Sequence, residues 1–344
     1  MFDLELSEEQ VMLSASLRSL LTRWCDPAAV RAAEAAGHDP ALWQRVIDLG
    51  LVEMALPATA ASEAATTVLD VALLCEVLGE FVAPVPLVDV VVASRLASRL
   101  SGGRAEALLG GIFDNADVAT IAVRPPQGQH LSDVSSGSLA TSVIFRDGDQ
   151  VRVTTDAVPP VTPNIGSMAL ADRDTSSSDL LAQGADAVGV FERAVAERKV
   201  LVAAQLVGVA RRALELAVGY SAERTAFGVK IASFQALSHR MADMATEVAG
   251  SELLSRKAAW AHDQCGESDS QRLSSMALLF ATEAANNVGK EALHLFGGYG
   301  FMLEYDIQLY FRRAKAWPLV FGPPAREPEF LAELLTSTTT IGGQ

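Results

Sequence analysis

The 344-residue sequence predicts a mainly α-helical protein with a small β domain set into its middle. Three observations point there. Apolar residues recur at helical spacing through the first and last thirds of the chain. The central stretch changes to short β-rich runs separated by Gly, Pro and Ser. Within it, Asp147-Gly148 lies between two such runs and reads as a hairpin turn, because Asp-Gly suits the positive φ values of a tight turn. The implied division is a helical domain over 1–112, a short β domain over 113–186 and a helical domain over 187–344.

Taken in order, Ser7-Glu8-Glu9-Gln10 has the form of a capping box, and Val11, Leu13, Leu17, Leu20 and Leu21 follow at helical spacing. A second helix runs through Leu42–Leu49 to Gly50, and a third over Thr67–Leu78 ends near Gly79. Ala83-Pro84-Val85-Pro86 breaks the chain before another helix through Val90–Leu100. Val118–Val123 is a short strand, Pro125–Ser138 reads as loop, and Val143–Phe145 pairs with Val151–Thr155 across Asp147-Gly148. Lys199–Val218 is apolar on nearly every face, as in a helix buried in a bundle. Phe234, Leu237, Met241, Met244 and Val248 form the stripe of the next helix, and a further one runs from about Gln271 to Phe296, stopping at Gly297-Gly298.

Composition excludes several function classes. The net charge of −15 repels phosphate backbones and anionic lipid, so nucleic acid and membrane surfaces are not expected partners. The three cysteines and five histidines are scattered, which predicts a reducing compartment and no metal site. The start of the chain lacks a signal-peptide pattern, and no run approaches the roughly 20 apolar residues that span a bilayer. The expectation is a cytoplasmic protein.

Two motifs carry chemistry. In Arg224-Thr225-Ala226-Phe227-Gly228, Arg224 falls in a helix-to-helix connection, where a guanidinium can pair bidentately with a phosphate. Gln235 stands near the start of the following helix, whose end favours an anion. In Phe296-Gly297-Gly298-Tyr299-Gly300-Phe301, the glycines permit close approach of backbone to a ligand. Each also has a plain alternative: a surface arginine beside a packed phenylalanine, and a helix C-cap.

Order and spacing together resemble the acyl-CoA dehydrogenase family over most of the chain. The matching stretches are Leu6–Gln10, Asp39–Leu51, Leu74–Pro86, the block Arg224–Met244, and Gly297–Phe301 continuing to Arg312-Arg313-Ala314-Lys315. The resemblance implies an N-terminal helical domain, a middle β-barrel and a C-terminal four-helix bundle, with FAD held between barrel and bundle at a subunit interface. The implied reaction is α,β-dehydrogenation of a CoA thioester, in which a carboxylate removes the α-proton and FAD accepts the hydride. Residue by residue, Arg224 falls on the arginine of the FAD pyrophosphate, Phe227 on its aromatic neighbour and Gln235 on the glutamine of the flavin-binding helix. Gly297 and Gly298 fall on the loop passing the adenosine half, and His294 stands where the family usually has Gln.

Two departures follow. The family's Thr-Glu-Pro…Gly-Ser-Asp strand reads Ala122-Val123-Arg124-Pro125-Pro126, and Pro125 has no N–H for a flavin carbonyl. The Tyr-Glu-Gly-Thr turn that carries the base reads Phe321-Gly322-Pro323-Pro324, with Gly322 in the glutamate's place. A minority of the family places the base just before an arginine early in the bundle, which here is Glu197-Arg198; the alternative is a solvated charge at a helix start. The pattern resembles one subunit of the α2β2 actinobacterial enzymes of steroid catabolism. It implies a homologous partner subunit, an acyl-CoA substrate and a half-site for FAD contributed by this chain.

Overall fold

The computed structural model describes residues 5–54 and 66–339. The N-terminal segment folds as α1 (Glu8–Trp24), α2 (Pro27–Ala32), α3 (Pro40–Asp48), α4 (Leu51–Met54), α5 (Val68–Phe81), α6 (Leu87–Ser98) and α7 (Gly103–Asn115). The capping box at Ser7 forms: its hydroxyl accepts from the Gln10 N–H at 3.2 Å, and the Gln10 side chain accepts from the Ser7 N–H at 3.0 Å. Thr67 and Asp70 cap α5 in the same way.

Helix α5 passes through Gly79 rather than ending there, and stops at Val82, which takes the left-handed φ of 42°. The glycine is needed for packing. A Cβ at Gly79 would collide with the Gln205 carbonyl of the long helix α8 (Ala185–Glu223), and one at Gly208 of α8 would collide with the Glu76 carbonyl of α5. The two backbones therefore touch at this crossing.

The central strands are β1 (Ala119–Ala122), β2 (His130–Val134), β3 (Ser142–Asp147), β4 (Gln150–Thr154), β5 (Ala171–Asp174) and β6 (Asp179–Gln183). They make a four-stranded sheet ordered β1-β3-β4-β6, with β1 parallel to β3 and the rest antiparallel, and a two-stranded sheet of β2 and β5. The β3–β4 hairpin turns at Asp147-Gly148 as expected, with Gly148 at φ 60°. β2 lies inside the stretch expected to be loop. It pairs with β5 through a bulge and buries only Leu131 and Val134, so its sequence lacks clean alternation.

After α8 come the two-residue strands β7 (Thr225–Ala226) and β8 (Val229–Lys230), then α9 (Gln235–Gln264), α10 (Glu267–Phe296), α11 (Ile307–Ala316) and α12 (Arg326–Thr339). α8, α9, α10 and α11 pack as a bundle, with α5 laid on α8 and α12 on α10. No described helix is long and apolar enough to cross a membrane, and no group of three or more His, Cys, Asp or Glu among the described residues is placed to hold a metal.

A buried ion pair joins α6 and α8 to the β domain. Arg198 of α8 meets Asp89 of α6 at 2.5 Å, and Asp89 also accepts from the hydroxyls of Thr120, Ser135 and Ser136 at 3.1, 3.1 and 2.6 Å. The charged run at 192–199 is therefore not a solvated helix start. Glu197, Arg198 and Lys199 are all buried well inside α8.

Candidate functional site

Helix α8 ends at Glu223, and Arg224 caps it in an extended conformation. The chain then makes a tight hairpin, β7 to β8, whose turn residues Phe227 and Gly228 both have positive φ, 53° and 83°. Gly228 takes this freely; Phe227 does not, and is held there with its ring 97% exposed. The ring meets Phe234 edge-on with centroids 6.4 Å apart, which ties the hairpin tip to the start of α9, where Gln235 is the first helical residue and exposed.

The second motif lies at the same end of the bundle. Phe296, the last residue of α10, stacks on Tyr220 of α8 at 4.2 Å, and Arg240 of α9 pairs with Glu291 of α10 at 2.7 Å. The Arg224 guanidinium sits 5.5 Å from the Tyr299 ring centroid, a cation–π contact between the two motifs. Gly297 turns the chain at φ 60°, and it and Gly298 are exposed, with nothing within 4 Å of where a Cβ would stand. His294 is exposed in the last turn of α10. Arg224 has no carboxylate partner among the described residues, and the start of α9 adds its positive dipole end. This end of the molecule fits the pyrophosphate and adenosine half of FAD: a free guanidinium, an exposed amide at a helix start and an uncrowded glycine turn.

The second candidate region is a cavity of about 490 Å³ between the end of β1, helix α8, the 3-10 turn at Trp317–Phe321 and α12. It lies between the two segments where the resemblance would put the flavin ring and the base, because both Ala122–Pro125 and Phe321 line it. Three of its four cations are committed within the fold. Arg124 donates to the Ser132 carbonyl and to Asp133, each at 2.7 Å. Arg146 pairs with Glu192. Lys199 pairs with Glu327 of α12 at 2.5 Å, donates to the Ser275 hydroxyl at 3.2 Å, and lies 4.3 Å from the Phe330 ring centroid. Burial pushes the Lys199 ammonium below its usual range, with Glu327 opposing the shift.

Gly322, which the family resemblance sets in the place of the glutamate, adopts φ 117°. A Cβ there would lie 3.0 Å from Cδ and 3.5 Å from Nη1 of Arg326. An arginine stem thus fills the space that the base's side chain would enter. With Arg124 turned to Asp133 and Pro125 lacking an N–H, these residues do not fit the ring half of FAD.

Glu197 stands apart from both regions. Its carboxylate is 1% exposed, is paired with Arg95 of α6 and accepts from Arg99, the residue capping the end of α6, at 3.2 Å. Burial alone would raise its pKa, but the Arg95 and Arg99 guanidiniums outweigh it and hold the group below the ordinary carboxylate range. A carboxylate so bound is a weak proton acceptor. Tyr299, Lys199 and Arg326 were not singled out in the sequence. Their significance depends on contacts with Arg224, Glu327 and Gly322 that only the fold creates.

Residues 188–334 match the family described as acyl-CoA dehydrogenase, C-terminal domain. The chain is similar to the acyl-CoA dehydrogenase IpdE2 of Mycolicibacterium smegmatis, at 32% identity over 327 residues, covering 94% of this chain and 97% of that protein. It is 29% identical over 311 residues to IpdE2 of Mycobacterium tuberculosis, covering 89% and 91%. Among solved structures, the Tcur3481-Tcur3483 steroid ACAD G363A variant aligns with a TM-score of 0.87 at 23% identity, and the ChsE4-ChsE5 complex from Mycobacterium tuberculosis with 0.85 at 20%. Each alignment covers 97% of this chain and 99% of the other, and at these identities it speaks for the fold. The full-length similarity to IpdE2, together with the helical fold and its small central sheets, establishes that the chain belongs to the acyl-CoA dehydrogenase family.

Proposed function

We propose that this chain is a subunit of a heteromeric, FAD-dependent acyl-CoA dehydrogenase, and that it completes a flavin site whose ring pocket and base lie on a homologous partner. The observation that carries this is the contrast at the two half-sites: Arg224 is exposed and, among the described residues, has no carboxylate partner, whereas Gly322 lies under Arg326. In this reading Arg224 pairs with pyrophosphate oxygens, and a charge-assisted contact of that kind contributes about 1.5–3 kcal/mol. Gln235 and His294 offer donors to the same ligand, and Gly297-Gly298 leave room for backbone to pass the adenosine. FAD, when bound, supplies the redox chemistry of α,β-dehydrogenation. What this chain contributes is orientation and charge.

The heteromeric reading draws support from the two solved structures, each named for two chains, and the steroid-derived class of CoA thioester from the words "steroid ACAD". A homomeric enzyme using Glu197 is less well supported, since both carboxylate oxygens are engaged by arginines.

The test is to purify the chain alone and co-expressed with a homologous partner, and to record the visible flavin spectrum and turnover with an acyl-CoA and an electron acceptor. Flavin and turnover only in the co-expressed complex are expected. A yellow chain that turns over by itself would overturn the proposal.

A further inference from the structure

The cavity described above has a charge pattern at odds with the molecule around it. The whole chain carries −15, yet the cavity lining holds four cations, Arg124, Arg146, Lys199 and Arg326, against two carboxylates, Glu192 and Glu327. Three of the cations are satisfied internally. Arg326 is the exception: among the described residues its guanidinium has no carboxylate partner, and it stands exposed at the first turn of α12. The remaining walls are apolar, with Phe191, Val195, Phe321, Phe330 and Leu334. A volume of about 490 Å³ is in the range of small-molecule sites, roughly 300–1,000 Å³.

We infer that this cavity is a binding site for an amphipathic carboxylate, a free organic acid with an apolar body, and not a second place of turnover. The acid group pairs with Arg326 at the mouth, where a planar guanidinium suits a carboxylate bidentately. The body lies against Phe191, Phe321 and Phe330. Two features favour an acid over a neutral thioester. Among the described lining residues, the charged group without a carboxylate partner is a cation, Arg326, and it occupies the space over Gly322, so no carboxylate on that turn repels an anion. The apolar walls in turn disfavour a bare inorganic anion, which would lose its hydration with only one partner in return. The inference rests on the reading that the cavity holds no flavin ring.

The test uses the purified two-subunit complex, with decanoate as the probe and acetate and decan-1-ol as controls, followed by isothermal titration calorimetry and flavin absorbance. Decanoate is expected to bind once per copy of this chain without displacing flavin, at one flavin per subunit pair. Arg326→Ala is expected to weaken it about tenfold or more while thermal stability is unchanged. Equal binding of decan-1-ol, equal binding of acetate, or full affinity in Arg326→Ala would each overturn the inference. Absence of decanoate binding at one flavin per pair overturns it while leaving the proposed function intact. One flavin in every chain, displaced by decanoate, overturns both.

Discussion

The two candidate regions differ in how completely each satisfies itself. At the α8–α9 connection the polar groups face outward: Arg224 lacks a counter-ion among the described residues, Gln235 stands exposed at a helix start, and Phe227 holds its ring in water on a backbone that disfavours it. At the strand-end cavity the opposite holds. Arg124, Arg146 and Lys199 are each bound to a carboxylate from another element, and in the interior outside the cavity Arg95 and Arg99 likewise hold Glu197. A region that leaves charge and aromatic surface unpartnered is built to be completed by something else. The cavity instead pairs three of its four cations within the fold and, among the described residues, leaves Arg326 as the one without a carboxylate partner. Substitutions in the two should therefore separate: those in the closed region should cost stability, and those at the open end should cost flavin or assembly.

The largest effect is expected at Glu197. Replacing it with Ala removes the carboxylate that buried Arg95 and half-buried Arg99 share and should cost about 3–5 kcal/mol in denaturant unfolding. Glu197→Gln keeps the shape, and the folded complex carrying it should retain full turnover. Loss of turnover at normal stability would instead mark Glu197 as a participant in the chemistry.

Lys199→Ala removes the buried ammonium that α12 is fastened to through Glu327, and should cost about 2 kcal/mol. Limited proteolysis should then cut α12 faster than in the unaltered chain. Unchanged protection would mean that the helix is held by its apolar contacts alone.

Asp263, solvent-exposed at the α9 end that meets α5, is read through pH. It accepts from the Val68 N–H at the start of α5 at 2.9 Å, and burial raises its pKa from 3.8 to about 6. The folded state thus binds this proton more tightly than the unfolded state does. The group's contribution is most favourable below pH 4 and declines as pH rises to about 6. Asp263→Asn, which keeps an acceptor for Val68, should be more stable than the unaltered chain above pH 6, with the difference vanishing toward pH 4 and small because the residue is solvent-exposed. Thermal unfolding across pH 4–8 reads this directly, and a constant difference would remove Asp263 as its source.

At the open end, Phe227→Asn should stabilise the isolated chain by about 1 kcal/mol, because Asn tolerates the left-handed conformation. The same substitution should weaken the complex with the partner. Stabilisation in both states would mean that the exposed ring has no recipient.

Much of the fold was legible locally. Ser7 and Gln10 announced the first cap, Asp147-Gly148 the hairpin, and the Phe234–Val248 stripe the bundle helix. What escaped was set by distant partners. β2 is a strand because β5 pairs with it from some forty residues onward, across a bulge that blurs its alternation. The run from Glu192 to Lys199 reads as solvated until Arg95, Arg99, Asp89 and Glu327 arrive from other helices. The site divided in the same way. Arg224, Phe227, Gln235, His294, Gly297 and Gly298 were all named from the sequence, and they lie toward one end of the bundle. The roles of Tyr299 and Arg326 depend on packing across the fold, which spacing alone does not reveal.

The central claim is that this chain lends one half of a flavin site to a partner. Its most direct test is the flavin content of the two-subunit complex carrying Arg224→Ala in this chain only. The account predicts an intact complex that has lost most of its flavin, consistent with about 10–100-fold weaker binding, and whose thermal stability matches that of the unaltered complex stripped of flavin. A complex that keeps its full flavin complement would contradict it.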